Sequence, residues 1–179
     1  MNKDDLKRAE EMDLIHFSQD FEKEVSGNKA KYLSYKEANA RISAAILKGF
    51  YLEAITIEES ILCDRLQSYY AYLLNLNADE FKAHPFFQDY TTLGKLIHKN
   101  NLKKKLNLTF NKEVSEVFIK LRAWWGKRNE TLHSLAKSTP TTPTMDYKEF
   151  LKLAKKTALD GVKLIDEIKK VFKNNPKDK

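Results

Sequence analysis

Turn-forming residues are scarce: five glycines and four prolines punctuate 179 residues. A β-sandwich or barrel needs a tight turn every 8 to 12 residues or so, usually built on Gly or Pro. This chain lacks the means to make those turns, and nothing in it reads as an alternating strand. Its apolar residues instead recur at helical spacing. Leu62, Leu66, Tyr69, Leu73 and Leu76 form a 3.6-period stripe within a helical pattern running from Tyr51 to Leu76. The expected fold class is therefore all-α, an antiparallel helical bundle of four main helices with a short extra helix and an N-terminal helical arm. Hydrophobic residues make up 42% of the chain, enough for a real core and too many for wholesale disorder.

Punctuation predicts the elements. Residues 4–24 read as a charged helix carrying Leu6, Met12, Leu14, Ile15, Phe17 and Phe21, ended by Ser26-Gly27-Asn28. Ser34 and Glu37 have capping-box spacing and predict the start of the next helix, which should stop near Gly49. His84-Pro85 breaks the pattern, so 77–90 reads as a connection and 91–99 as a short helix. Asn111 can cap a further helix, with Glu113 in its first turn and Val114, Val117, Phe118 and Leu121 on one face. That helix should run into the mid-130s. Residues 138–144, rich in Thr and Pro, cannot continue it. Asp146 with Glu149 opens the last helix, whose Phe150, Ala154, Ala158, Gly161, Ile165, Ile168 and Phe172 face one way. The domain reading is an acidic arm over 1–30, a bundle over 31–175 and a frayed tail over 176–179.

Charge is uneven along this plan. Residues 1–30 carry net −3, residues 31–110 net +3 and residues 111–179 net +7. A basic C-terminal half suits RNA or another polyanion, although a solvated lysine surface is the plainer reading of charge alone. No run of 18 apolar residues occurs, so no membrane span is expected. The opening Met1-Asn2-Lys3-Asp4-Asp5 has no apolar stretch behind it, so no secretory signal is expected either. The lone Cys63 has no intrachain partner, which points to a reduced, cytoplasmic setting. His16, His84, His98 and His133 include no i, i+4 pair, so neither a metal nor a cofactor is expected.

The segment that could carry chemistry is Trp124-Trp125-Gly126-Lys127-Arg128-Asn129-Glu130-Thr131-Leu132-His133. Continued past Leu121 and Trp125, the apolar stripe reaches Arg128, then Leu132 and Leu135. A guanidinium in line with a core needs a carboxylate, carbonyls or an anionic ligand. Glu58 or Glu59, beside the stripe of the earlier helix, could supply the carboxylate. His133 follows Arg128 by five residues, about 140° around and roughly 7.5 Å along an ideal helix. The two would meet only if the helix distorts near Gly126, or if another helix or subunit completes the site. Asn129 stands at i, i+4 to His133 and could hold the imidazole in one tautomer. Arg supplies a permanent cation matched to phosphate, and His a proton carrier near neutral pH. Together they suit cleavage of RNA, whose 2′-hydroxyl is an internal nucleophile that DNA lacks.

The run Arg128-Asn129-Glu130-Thr131-Leu132-His133 resembles the Arg-x4–6-His motif of HEPN domains. The resemblance covers roughly residues 40–175. It implies an all-α bundle that dimerises with its motifs juxtaposed. It also implies a metal-independent endoribonuclease of the toxin–antitoxin, abortive-infection, phage-defence or CRISPR-associated kind. Arg128 and His133 would then be catalytic, Asn129 the supporting polar position, and Glu58 or Glu59 the acid of the earlier helix. Lys127 and the Lys103, Lys104, Lys105 run would guide RNA. An antitoxin or regulatory protein would be the restraining partner. Some toxins of this family carry a modifiable Tyr two residues after the His; here Leu135 stands there. Trp124 and Trp125 are expected in core and interface, at most one of them open to stacking. HEPN folds also occur as non-catalytic RNA- or nucleotide-binding and scaffold modules, which is the alternative reading. A third is a bundle that docks through its acidic arm.

Overall fold

A computed structural model of the chain describes residues 29–89, 92–97, 110–134 and 145–174. The N-terminal arm, the Lys103–Lys105 run, the Thr/Pro loop and the tail lie outside the described residues. All the regular structure described is α-helical: α1 (Lys29–Lys48), α2 (Tyr51–Leu74), α3 (Ala78–Ala83), α4 (Pro85–Asp89), α5 (Leu93–Ile97), α6 (Lys112–Ser134) and α7 (Tyr147–Asn174). The four long helices α1, α2, α6 and α7 make the bundle.

The helix ends follow from local chemistry. At Gly49, φ is +80°, a conformation glycine takes without strain. Its N–H bonds to the Ile46 carbonyl at 3.1 Å, and that of Phe50 to the Ala45 carbonyl at 2.8 Å, a Schellman ending for α1. Asn75, with φ 57°, ends α2 in the same way. Asn111 Oδ1 accepts from Val114 N at 2.9 Å and Asp146 Oδ2 from Lys148 N at 2.9 Å, so both expected caps form.

Two expectations are corrected. Helix α1 begins at Lys29, so Ser34 and Glu37 lie inside it and form no cap. The 77–90 connection is itself mostly helical: Asn77 and Glu80 form a reciprocal capping box that starts α3, and Pro85 opens α4. Pro in a first turn forfeits no helical hydrogen bond, so it separates two short helices rather than abolishing them.

Cross-helix contacts give the topology. Lys31 bonds Asp64 and Arg41 pairs with Glu53, so α1 and α2 run antiparallel. Lys120 pairs with Glu167 and Lys127 with Asp160, so α6 and α7 do too. Helix α2 runs antiparallel to α6, with Tyr70 against Phe118, and parallel to α7, with Tyr69 stacked on Phe172 at 3.9 Å. The core lies among α2, α6 and α7 and is built from Ile55, Leu62, Leu66, Val117, Leu121, Ala158, Ile165 and Ile168. Short α5 packs against α2 and α6: its Leu96 carbonyl accepts from Tyr70 and its Ile97 carbonyl from Arg122. No helix among the described residues is long and apolar enough to cross a membrane.

Candidate active site

The motif helix α6 is continuous through Gly126, so no local distortion swings Arg128 and His133 onto one face. Its inward seam is Val114, Val117, Phe118, Leu121, Trp124 and Thr131. Thr131, not Leu132, is thus the buried residue of the motif. Its hydroxyl donates to the Lys127 carbonyl at 2.8 Å and meets Thr157 Oγ1 at 3.2 Å on α7. These contacts fix the rotation of α6 and so decide where the motif's polar groups point.

Arg128 sits at the border of that seam, its side chain 23% exposed. Nη2 bonds the Glu59 carboxylate on α2, and Nη1 donates to Asn129 Oδ1 at 2.9 Å. Nε is buried with no hydrogen-bond partner. Asn129 therefore steadies the guanidinium rather than the His133 ring, since a neighbouring cation is the stronger donor for its carbonyl. His133 is exposed in the last turn of α6. Lys127, one position before Arg128, points to α7 and pairs with Asp160 at 3.1 Å.

The two acids of α2 separate. Glu59 meets Arg128. Glu58 is fully buried, and neither carboxyl oxygen has a hydrogen-bond partner. It lies against Gly161 of α7 and the Trp124 indole. A methyl group on Gly161 would come 2.6 Å from the Glu58 carboxyl carbon and 3.0 Å from Trp124 Nε1, which itself donates to the Thr157 carbonyl at 3.0 Å. Desolvation pushes the Glu58 pKa up to about 9, so the group is an uncharged acid at neutral pH. The signal was in the spacing: counting back from Leu62 by four gives Glu58, the stripe position itself, and a further three gives Ile55.

A second charged cluster went unread in the sequence. Arg65 is buried, with its guanidinium 4.7 Å from the Tyr35 ring centre, while Tyr35 donates to Asp64, which Lys31 also bonds. The group ties α1 to α2 and is structural. Cys63 is half-buried, and burial, with Asp64 and Glu59 adding, pushes its thiol up to about 11, unsuited to nucleophilic work. Trp124 is buried and Trp125 half-buried against Gly94, so neither is an open stacking platform. Among the described residues no three of His, Cys, Asp and Glu gather as a metal would need. Compared with known proteins, the chain matches no family model, no curated protein and no solved structure.

Proposed function

We propose that this chain is an HEPN-type, metal-independent endoribonuclease that works as a homodimer in the cytoplasm, a toxin or phage-defence effector held in check by an antitoxin or regulatory protein. The observation that carries the reading is the placing of Arg128: a guanidinium at the edge of the core, braced by Glu59 and Asn129, with an exposed His133 farther along the same helix. A fixed cation and a free imidazole are what the reaction needs.

In that reaction the His133 imidazole takes the proton of an RNA 2′-hydroxyl. The oxygen attacks the adjacent phosphorus, the new P–O2′ bond forms and the P–O5′ bond breaks. The 5′-oxygen leaves with a proton from a second donor, giving a 2′,3′-cyclic phosphate and a 5′-hydroxyl. Arg128 stabilises the charge that grows on the phosphoryl oxygens. Each Nη has a second N–H beyond those given to Glu59 and Asn129, so the fork can keep its braces and still meet an anion. Arg128 and His133 lie about 140° apart around a continuous helix, which favours a site completed by a second copy. The arginine of one copy would then work with the histidine of the other, and water would be the second proton donor.

The test is RNA cleavage in the presence of EDTA. His133 is exposed, so H133A should melt like wild type and lose at least about 100-fold in rate. R128A should lose activity as well; because it strands Glu59, R128A/E59A is measured beside it as a folded control. Wild-type rates in H133A and in the Arg128 variants would overturn the proposal.

One observation favours the alternative of a non-catalytic RNA- or nucleotide-binding or scaffold module: the guanidinium is already engaged by Glu59 and Asn129, with Nε buried. RNA bound but never cut, with affinity unchanged in H133A, would select it.

A further inference from the structure

Helix α7 has two distinct faces. Its buried side is Phe150, Ala154, Ala158, Gly161, Ile165 and Ile168. On the opposite side Lys148, Lys152, Lys156, Lys163, Lys170 and Lys173 are all exposed. At about 100° per residue these six fall within an arc of about 100°, and Lys155 lies at its edge. The row is about 37 Å long from Lys148 to Lys173. Within the arc only half-buried Leu159 and Asp166, and Asn174 at the helix end, interrupt it.

None of these lysines forms an ion pair with another described residue. Of the four acids of α7, Asp160 pairs with Lys127 and Glu167 with Lys120, both on α6, while Glu149 and Asp166 form no ion pair with the row. Like charges at i, i+4, as at Lys148, Lys152 and Lys156, oppose helix formation. Among the described residues no ion pair relieves this repulsive row. At its middle, Lys163 faces a groove of about 240 Å³ between α6 and α7, lined also by Lys120, Lys127, Asp160 and Glu167.

We infer that this lysine row on α7, with the groove at Lys163, is the surface along which the phosphate backbone of RNA lies. The inference deepens the ribonuclease reading by naming how the strand is held, and it places the contacts on α7. Charge complementarity with a linear polyanion is the argument. An anionic membrane is the weaker match, because a helix that sits in a lipid interface needs a free apolar face, and that of α7 is consumed in the core.

The experiment measures binding of a labelled single-stranded RNA by anisotropy, using full-length H133A protein so that cleavage does not interfere. In that background K152Q/K156Q/K163Q is compared with K36Q/K48Q/K82Q, an equal loss of exposed charge on α1 and α3. The α7 triple should weaken binding at least about tenfold at about 50 mM salt, and should flatten the log Kd against log salt slope by about 2, three charges at about 0.7 each. The control triple should stay within about twofold. Equal losses in both triples, no binding of RNA at all, or capture by phosphatidylserine vesicles in place of RNA would each overturn the inference. Wild-type protein that binds through the row but never cuts RNA would sink the ribonuclease reading alone. Undiminished binding and cleavage by the α7 triple would sink the row alone.

Discussion

Glu58 and Glu59 are neighbours in sequence with opposite fates. Glu59 braces Arg128; Glu58 is a neutral acid shut in against Gly161 and Trp124. The difference makes stability depend on pH with a definite sign. Below about pH 4.5 both folded and unfolded chains hold the Glu58 proton. Between there and about pH 9 the unfolded chain gives up a proton that the folded chain keeps. Stability attributable to Glu58 therefore falls as pH rises through this window, by up to about 1.4 kcal/mol per pH unit, and levels off above it. E58Q removes the titration. Its melting temperature should track wild type near the bottom of the window and exceed it increasingly toward the top; parallel curves would show that Glu58 is ionised in the folded protein. The special position of Glu58 was legible, because it falls on the apolar stripe. Which acid meets Arg128 was not: that depends on how α6 is turned, which the Thr131–Thr157 and Trp124–Thr157 contacts with α7 hold, and on how α2 lies beside the pair, which no single helix carries.

The crossing of α2 and α7 rests on Gly161. Its missing side chain makes the room that the Glu58 carboxyl and the Trp124 indole fill. G161A would gain about 1 kcal/mol of helix propensity and lose about 1–3 kcal/mol to overpacking in an enclosed site. The expected net result is destabilisation, read as a lower urea midpoint at unchanged m-value. In a double-mutant cycle E58A/G161A should be less destabilised than the two single changes summed, by about 0.5–3 kcal/mol, because the alanine methyl of one fills space vacated by the other. Strict additivity would mean that the two groups do not share the site. The same contrast explains which elements could be read. Gly49, Asn111, Asp146 and the stripe of α7 declare themselves through chemistry local to a few residues. The start of α1 did not, because the Ser34 and Glu37 capping spacing is equally at home in a helix interior, where Tyr35 and Lys31 are recruited by Asp64 of α2. The α7 lysines were visible one by one, but their coherence as a row needed the buried face to be known first.

For the molecule as a whole, the decisive geometry is the angle between Arg128 and His133. A continuous α6 keeps them about 140° apart, so a single copy presents a cation and an imidazole that do not converge. If two copies complete each other, the arginine of one subunit works with the histidine of the other, and inactive variants should rescue one another. R128A and H133A are each expected to be inactive as homodimers. In a mixed dimer one of the two composite sites draws its arginine from the H133A subunit and its histidine from the R128A subunit, and is intact. Random exchange at equal concentrations makes about half the dimers mixed, so the mixture should recover about a quarter of wild-type cleavage. The recovery should rise from zero as subunits exchange and should vanish when the mixture is diluted below the dimer's dissociation constant, whereas wild type loses activity on the same dilution curve. A mixture that stays inactive while sedimentation shows mixed dimers would place both groups' work within one subunit. A chain that is monomeric at every concentration yet cuts RNA would remove the two-copy site altogether and leave Arg128, with its Glu59 brace, to act with a proton carrier other than a second His133.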